Sequence, residues 1–189
     1  MRLPGLVSWA EPALRTIIVA ALALGLEWGR ALAVRRPEIA LAALAGGGAA
    51  LTALGLGSTP RALGLSRSGL AARLLGGVGL GAVLLLPAVL RQAPTPVLPV
   101  PFAAAAVAVS IGEEVAFRGA LYAAIQDWLG PVPAVLGSAL VFTAGHVLSH
   151  PPVFLLAVAA TGVLFATWRW AFGDLVAPIV AHCIADLAL

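Results

Sequence analysis

Long apolar runs dominate the chain, and arginine, proline and glycine interrupt them at regular intervals. A helix needs about 20 apolar residues to cross a bilayer. Read between these interruptions, the pattern predicts about seven membrane helices, over residues 13–34, 38–57, 70–90, 102–129, 131–149, 152–172 and 175–189. The connections have a matching character. Arg35, Arg36 and Pro37 separate the first two segments, and four prolines between 91 and 101 exclude a helix there. Residues 58–73 mix three arginines with Leu63, Leu65 and Leu70, the composition of a segment lying on the membrane surface. Pro131, Pro133, Pro151 and Pro152 stand at predicted helix starts, where proline is tolerated. Trp9, Trp28, Trp128, Trp168 and Trp170 fall near segment ends, as in the aromatic belts of membrane proteins.

Composition sharpens this into one solvent. Hydrophobic residues make up 61% of the 189 and charged residues only 10%; a soluble domain carries roughly 25% charge. Most of the surface must therefore meet lipid. The expected fold class is all-α, a polytopic bundle forming a single membrane domain. Residues 1–101 supply N-terminal helices and the interfacial segment, and residues 102–189 supply a core. All eleven basic residues are arginine, scattered between segments, so no basic patch points to a nucleic acid. If the helices alternate, Arg2, Arg15, Arg61, Arg67, Arg73 and Arg169 share one side and Arg30, Arg35, Arg36 and Arg91 the other, which favours a cytoplasmic N-terminus. The first segment lacks a signal-peptide pattern and is expected to be retained. The single cysteine, Cys183, reads as a packed, inert thiol. Gly77 and Gly81, at GxxxG spacing, and the cluster Gly46–Gly48 read as close helix contacts.

Against this apolar background, a few charges stand out. The fourth segment contains Ser110-Ile111-Gly112-Glu113-Glu114-Val115-Ala116-Phe117-Arg118-Gly119. A charge at membrane depth is costly unless it is paired or hydrated, and so faces the bundle interior or a wet cavity. Glu114 and Arg118 are four apart with the acid first, the favoured order for an ion pair on one helical face. Glu113 sits about 100° around the helix and finds no partner within its segment. A general base on water needs such a free carboxylate. The plainer alternative is a salt bridge that locks helices, with Glu113 merely hydrated. In the fifth segment Phe142 and His146 are four apart; a lone histidine there can equally be a packing residue. His146 and His150 have the spacing of a metal pair, but Pro151 and Pro152 end the helix at His150 and leave it interfacial. In the seventh segment His182 and Asp186 share one face, as an oriented imidazole or a packing pair. Taken together, these residues are explained by one convergent site. Glu113 and His146 would activate a water, and His182 with Asp186 would stabilise the oxyanion formed on a carbonyl. Alternatively the histidines and acids would hold a zinc ion with an open position. There is no HExxH, no phosphate-binding glycine loop and no GxSxG serine.

Glu113-Glu114 with Arg118 resembles an EExxxR motif, Phe142 with His146 an FxxxH motif, and His182 with Asp186 an HxxxN/D motif. In this order the three are similar to those of the CPBP family of intramembrane proteases, which includes CAAX prenyl endopeptidases, bacteriocin-processing and self-immunity proteins and lysostaphin-resistance-like proteins. Leu63-Gly64-Leu65-Ser66-Arg67 resembles that family's LGLxR segment, and Gly173 to Pro178 the approach to its third motif.

The resemblance implies an endopeptidase cutting a peptide bond near the membrane surface. Glu113 would be the general base with His146 assisting, and His182 with Asp186 would stabilise the intermediate. Glu114, Arg118 and Phe142 would support them. Asp186 departs from the asparagine of many members, and the chain stops shortly after it. The glutamate mechanism, which requires no cofactor, is favoured; if zinc binds, its candidate ligands are Glu113, His146 and His182. The expected partners are the lipid bilayer and a peptide or protein substrate cut close to the membrane, in some cases lipidated, with no nucleic acid. The expected location is a bacterial or archaeal cytoplasmic (inner) membrane, crossed several times. Two other readings stay open at this point: an immunity or interaction membrane protein with the same fold, and a small proton-coupled transporter.

Overall fold

The computed structural model describes residues 12–65, 68–91 and 97–188. Among them are seven helices and no strand: α1 (Pro12–Ala33), α2 (Ala40–Ala53), α3 (Leu70–Leu90), α4 (Val100–Leu129), α5 (Pro131–Gly145), α6 (Pro152–Phe172) and α7 (Val176–Ala188). Five are long and apolar enough to cross a membrane: α1, α3, α4, α6 and α5 extended to Leu148. Helices α2 and α7, of 14 and 13 residues, are shorter; at 1.5 Å per residue each reaches about 20 Å, less than the hydrocarbon thickness. Outward-facing side chains such as Leu75, Leu140 and Leu156 are more than two-thirds exposed. Such exposure is stable where the solvent is acyl chain.

Three boundaries depart from the apolar pattern. Helix α2 is trimmed from the expected 38–57, because its end unwinds into turns that reach Gly57 at φ +84°. Helix α4 begins at Val100, with Pro99 before it and Pro101 absorbed in the first turn; only residues 97–99 of the described linker are extended. Helix α5 tightens at His146–Leu148 into a 3-10 turn before Pro151. The largest surprise lies inside α4, where Glu114–Leu121 form a π-helix. Such widened turns are uncommon and recur at functional sites.

Close contact between backbones holds the bundle. A Cβ on Gly112 would lie 2.3 Å from the Gly48 carbonyl oxygen, so α2 and α4 touch backbone to backbone. The GxxxG face of α3 meets α7: a Cβ on Gly77 would lie 2.6 Å from Val180 and one on Gly81 2.9 Å from Ile184. Dispersion rather than water exclusion drives such packing in lipid.

The junction from α6 to α7 is fixed by polar groups. Gly173, at φ +61°, ends α6. Asp174 then accepts the backbone N–H groups of Val176 and Ala177, at 2.8 and 3.2 Å, and so caps α7. It also accepts from Arg73 Nε at 2.6 Å and Trp168 Nε1 at 3.1 Å. The segment before α3 docks here. The Leu175 N–H donates to the Gly64 carbonyl at 3.0 Å, and Arg169 donates to the Ala62 carbonyl at 2.7 Å. Leu63 is buried, while Ser66 and Arg67 of the quoted LGLxR stretch lie outside the described residues, as does Trp9.

Candidate active site

Four helices bring polar side chains to one place inside the bundle. Helix α4 contributes Glu113 and Glu114, at 2% and 0% exposure. Both are buried because this stretch of α4 is enclosed on every side: residues 112–125 are all buried, and the π-helical stretch that begins at Glu114 lies within it.

Glu114 and Arg118 form the expected pair at 3.0 Å, with no solvent exposure on either side chain. The Arg118 guanidinium lies over the Phe142 ring, 3.9 Å from its centroid. Cation–π contact satisfies a buried charge that has few oxygens to reach. Phe142 also packs edge-on to Phe117, at 5.3 Å between centroids, and against His146, at 4.4 Å. The phenylalanine of the second motif thus ties the first motif to the histidine.

His146, on the turn after α5, donates from Nδ1 to the Phe142 carbonyl at 2.8 Å. A carbonyl only accepts, so the proton sits on Nδ1 and Nε2 keeps its lone pair. That Nε2 is 3.6 Å from Glu113 Oε2. From α7, His182 Nδ1 donates to Glu114 Oε1 at 2.9 Å, and its Nε2 lies 3.7 Å from the same Glu113 Oε2. The structure therefore converges Glu113, His146 and His182 on one carboxylate oxygen.

Two expectations need correcting. Asp186 does not orient His182; Glu114 does. Asp186 Oδ1 is 3.7 Å from His182 Nε2, while its other oxygen accepts from Ser110 Oγ at 2.8 Å. A carboxylate only accepts, so a donor role toward an oxyanion would require Asp186 in its protonated form. Second, Glu113 does have an ionic partner. Arg30 of α1, 83 positions away, donates from Nη2 to Glu113 Oε1 at 2.6 Å. The same Nη2 donates to Glu27, three residues back, whose side chain is 1% exposed. Glu27, Arg30 and Ser110 are the members of the site that the sequence reading left out. A signal existed: an acid and an arginine three apart within an apolar segment. Arg30 had instead been counted among the topology charges.

The metal question takes a different form from the one expected. Ligand atoms of Glu27, Glu113 and His146, rather than of Glu113, His146 and His182, lie within 4.8 Å of one another. Glu27 Oε1 and Glu113 Oε2 are buried without hydrogen-bond partners. The Arg30 guanidinium holds the other oxygen of each carboxylate, and its positive charge weighs against a second cation there. His150 takes no part in this cluster. It follows a broken helix, with its N–H on the His146 carbonyl at 3.1 Å.

A cavity of about 520 Å³ leads to the site. His146, His182 and Asp186 line it together with apolar positions on α3 and α6, among them Leu84, Phe154 and Val158, and with Arg91 and His150. Its wall is thus greasy on two sides and polar where the acids and imidazoles meet.

Comparison with known proteins gives one match. The family model of Rce1-like type II CAAX prenyl endopeptidases covers residues 95–188, a range that holds all three motifs but neither Glu27 nor Arg30. No curated protein and no solved structure matches the chain.

Proposed function

We propose that the chain, whose residues 95–188 match the family model of Rce1-like type II CAAX prenyl endopeptidases, hydrolyses a peptide bond at the membrane with a water activated by Glu113 and His146. The observation that carries this reading is the meeting of Glu113 Oε2, His146 Nε2 and His182 Nε2 within 3.6–3.7 Å. Two acceptors 3.6 Å apart are too distant to bond each other and well placed to share one water. Each takes a hydrogen from it, which turns a lone pair toward a substrate carbonyl.

The water oxygen attacks the carbonyl carbon as its proton passes to Glu113. His182 faces acceptor-only carboxylates at both nitrogens, and the form that serves both is the imidazolium, with two N–H donors. Its Nε2–H is then the donor for the oxyanion. The intermediate collapses when the proton held on Glu113 is delivered to the leaving amine. Asp186 acts by keeping negative charge near His182 rather than by donating. Glu114, Arg118 and Phe142 hold the two histidines in register. No step needs a metal, because Arg30 supplies the positive charge beside Glu113.

The substrate we favour is a peptide whose cut bond lies close to a lipidated cysteine, because the cavity joins an apolar wall to the polar cluster. The bundle is a multi-pass membrane protein, and we place it in a bacterial or archaeal cytoplasmic membrane. The test uses purified protein in liposomes and a fluorogenic peptide with a farnesylated C-terminal CAAX sequence. Glu113→Gln and His146→Ala should each lower kcat by about a thousandfold or more with expression unchanged. Cleavage at the unmutated rate in either variant ends the proposal. Stoichiometric zinc, lost in His182→Ala, would replace the glutamate mechanism with a metal one.

A further inference from the structure

Helix α1, outside the family match, sends two charges into the site, and the fold makes specific room for both. A Cβ on Gly47 of α2 would lie 2.9 Å from Arg30 Cδ, and one on Gly145 at the end of α5 would lie 3.1 Å from Glu27 Cγ. The C-terminal half of α1 is pinned beside them. Trp28 Nε1 donates to the Ala144 carbonyl and Arg35 Nη2 to the Leu148 carbonyl, each at 3.0 Å. Glu27 is therefore held between α1 and the turn that carries His146.

Resting on the hydrolytic reading above, we propose that Arg30, held by Glu27, is the positioning residue that sets Glu113 for catalysis. One nitrogen of Arg30 bonds an oxygen of each carboxylate. It fixes Glu113 Oε1 and leaves Oε2 turned to the two imidazoles. It also separates two buried like charges, Glu27 and Glu113, that would otherwise repel. The two N–H bonds of Nη2 are fixed in the guanidinium plane and so hold both acids in set directions, whereas an ammonium acts as a single mobile point charge. Arg30 puts its positive charge on the oxygens of Glu27 and Glu113 opposite the two left without partners. Its side chain is 13% exposed, less sealed than that of Arg118.

The experiment measures kcat and KM for Arg30→Lys, Arg30→Ala and Glu27→Gln in liposomes with the farnesylated fluorogenic peptide. Arg30→Lys should fold and bind, with KM within about threefold of the parent, while kcat falls about a hundredfold because Glu113 loses its fixed geometry. Glu27→Gln should lose about tenfold in kcat. Ethylguanidinium added to Arg30→Ala should restore part of kcat, and ethylamine should not. Arg30 variants with unchanged kcat, or with a rise in KM alone, overturn the proposal. Should the parent protein leave the peptide uncut, the hydrolytic reading fails by itself. The clamp is then judged by thermal unfolding of Arg30→Ala, Glu113→Gln and the double variant. Non-additive losses support it and additive losses overturn it. Stoichiometric zinc that disappears in Glu27→Gln also overturns it.

Discussion

Glu113 and Glu114 are neighbours in the chain, and each meets an arginine, but from opposite directions. Glu114 is paired by Arg118 one turn along its own helix, with both side chains sealed from solvent and the guanidinium stacked on Phe142. Glu113 is paired by Arg30 from a different helix, behind the two histidines that line the cavity. The oxygen each acid has left over tells the two apart. Glu114 Oε2 is enclosed without a partner, whereas Glu113 Oε2 faces Nε2 of both His146 and His182. A pair within one helix moves with that helix and makes a frame. A pair between helices sets one carboxylate relative to groups carried elsewhere, which an acid intended for chemistry needs. The two adjacent residues thus have different tasks because different helices supply their counter-charges.

The strongest way to break this comparison is to remove the frame. Arg118→Met takes the guanidinium from Glu114 and leaves it His182 alone as a partner in the core, an error that costs about 3–5 kcal/mol. Thermal unfolding in detergent should show a collapse of stability, and the added change Glu114→Gln should restore much of it. Arg30→Lys should cost clearly less, because the positive charge between Glu27 and Glu113 is kept. If Arg118→Met is tolerated while Arg30→Lys unfolds the bundle, the assignment of frame and positioning pair is reversed.

A smaller effect sharpens the same contrast. Gly145→Ala places a Cβ 3.1 Å from Glu27 Cγ and 3.4 Å from its Cβ, with Phe117 of α4 at an ordinary contact distance of 3.7 Å. Overpacking of this kind costs about 1–3 kcal/mol. Activity should fall further than stability, since the displaced group supports Arg30. Equal losses in both, measured by unfolding and peptide cleavage, would make Gly145 a packing residue and nothing more.

These cases also mark how far the sequence could be read. Helix α4, the Glu114–Arg118 pair, the convergence of His146 and His182, and the small-residue face at Gly77 and Gly81 were all legible. Each depends on spacing within one segment or on a charge that lipid will not tolerate. The Arg30–Glu113 contact was not legible, because no local rule links positions 83 apart; only the tertiary arrangement of α1 against α4 creates it. The role of Asp186 was misjudged for a similar reason. His182 stands four residues before it, but the nearer acceptor is Glu114 from another helix. The π-helical stretch was invisible too, since its apolar residues suit an α-helix equally well.

A third acid lies between the two kinds and outside the spanning segments. Asp174 is paired across the fold by Arg73, yet it also caps its own helix. Burial works to raise its carboxyl, but the donors Trp168, Val176, Arg73 and Ala177 outweigh that and hold it below its ordinary value of 3.8. A carboxyl held low stabilises the fold only while it is ionised. Its contribution is complete above the unfolded value and disappears as pH falls through the folded one. Asparagine keeps the capping oxygen and loses the charge, so Asp174→Asn isolates the ionic part. At neutral pH it should cost about 1.5–3 kcal/mol, the range for hydrogen bonds to a charged group. The gap in melting temperature between parent and variant should narrow steadily below about pH 4. A gap independent of pH would make Asp174 a cap alone, with Arg73 contributing contact but no charge.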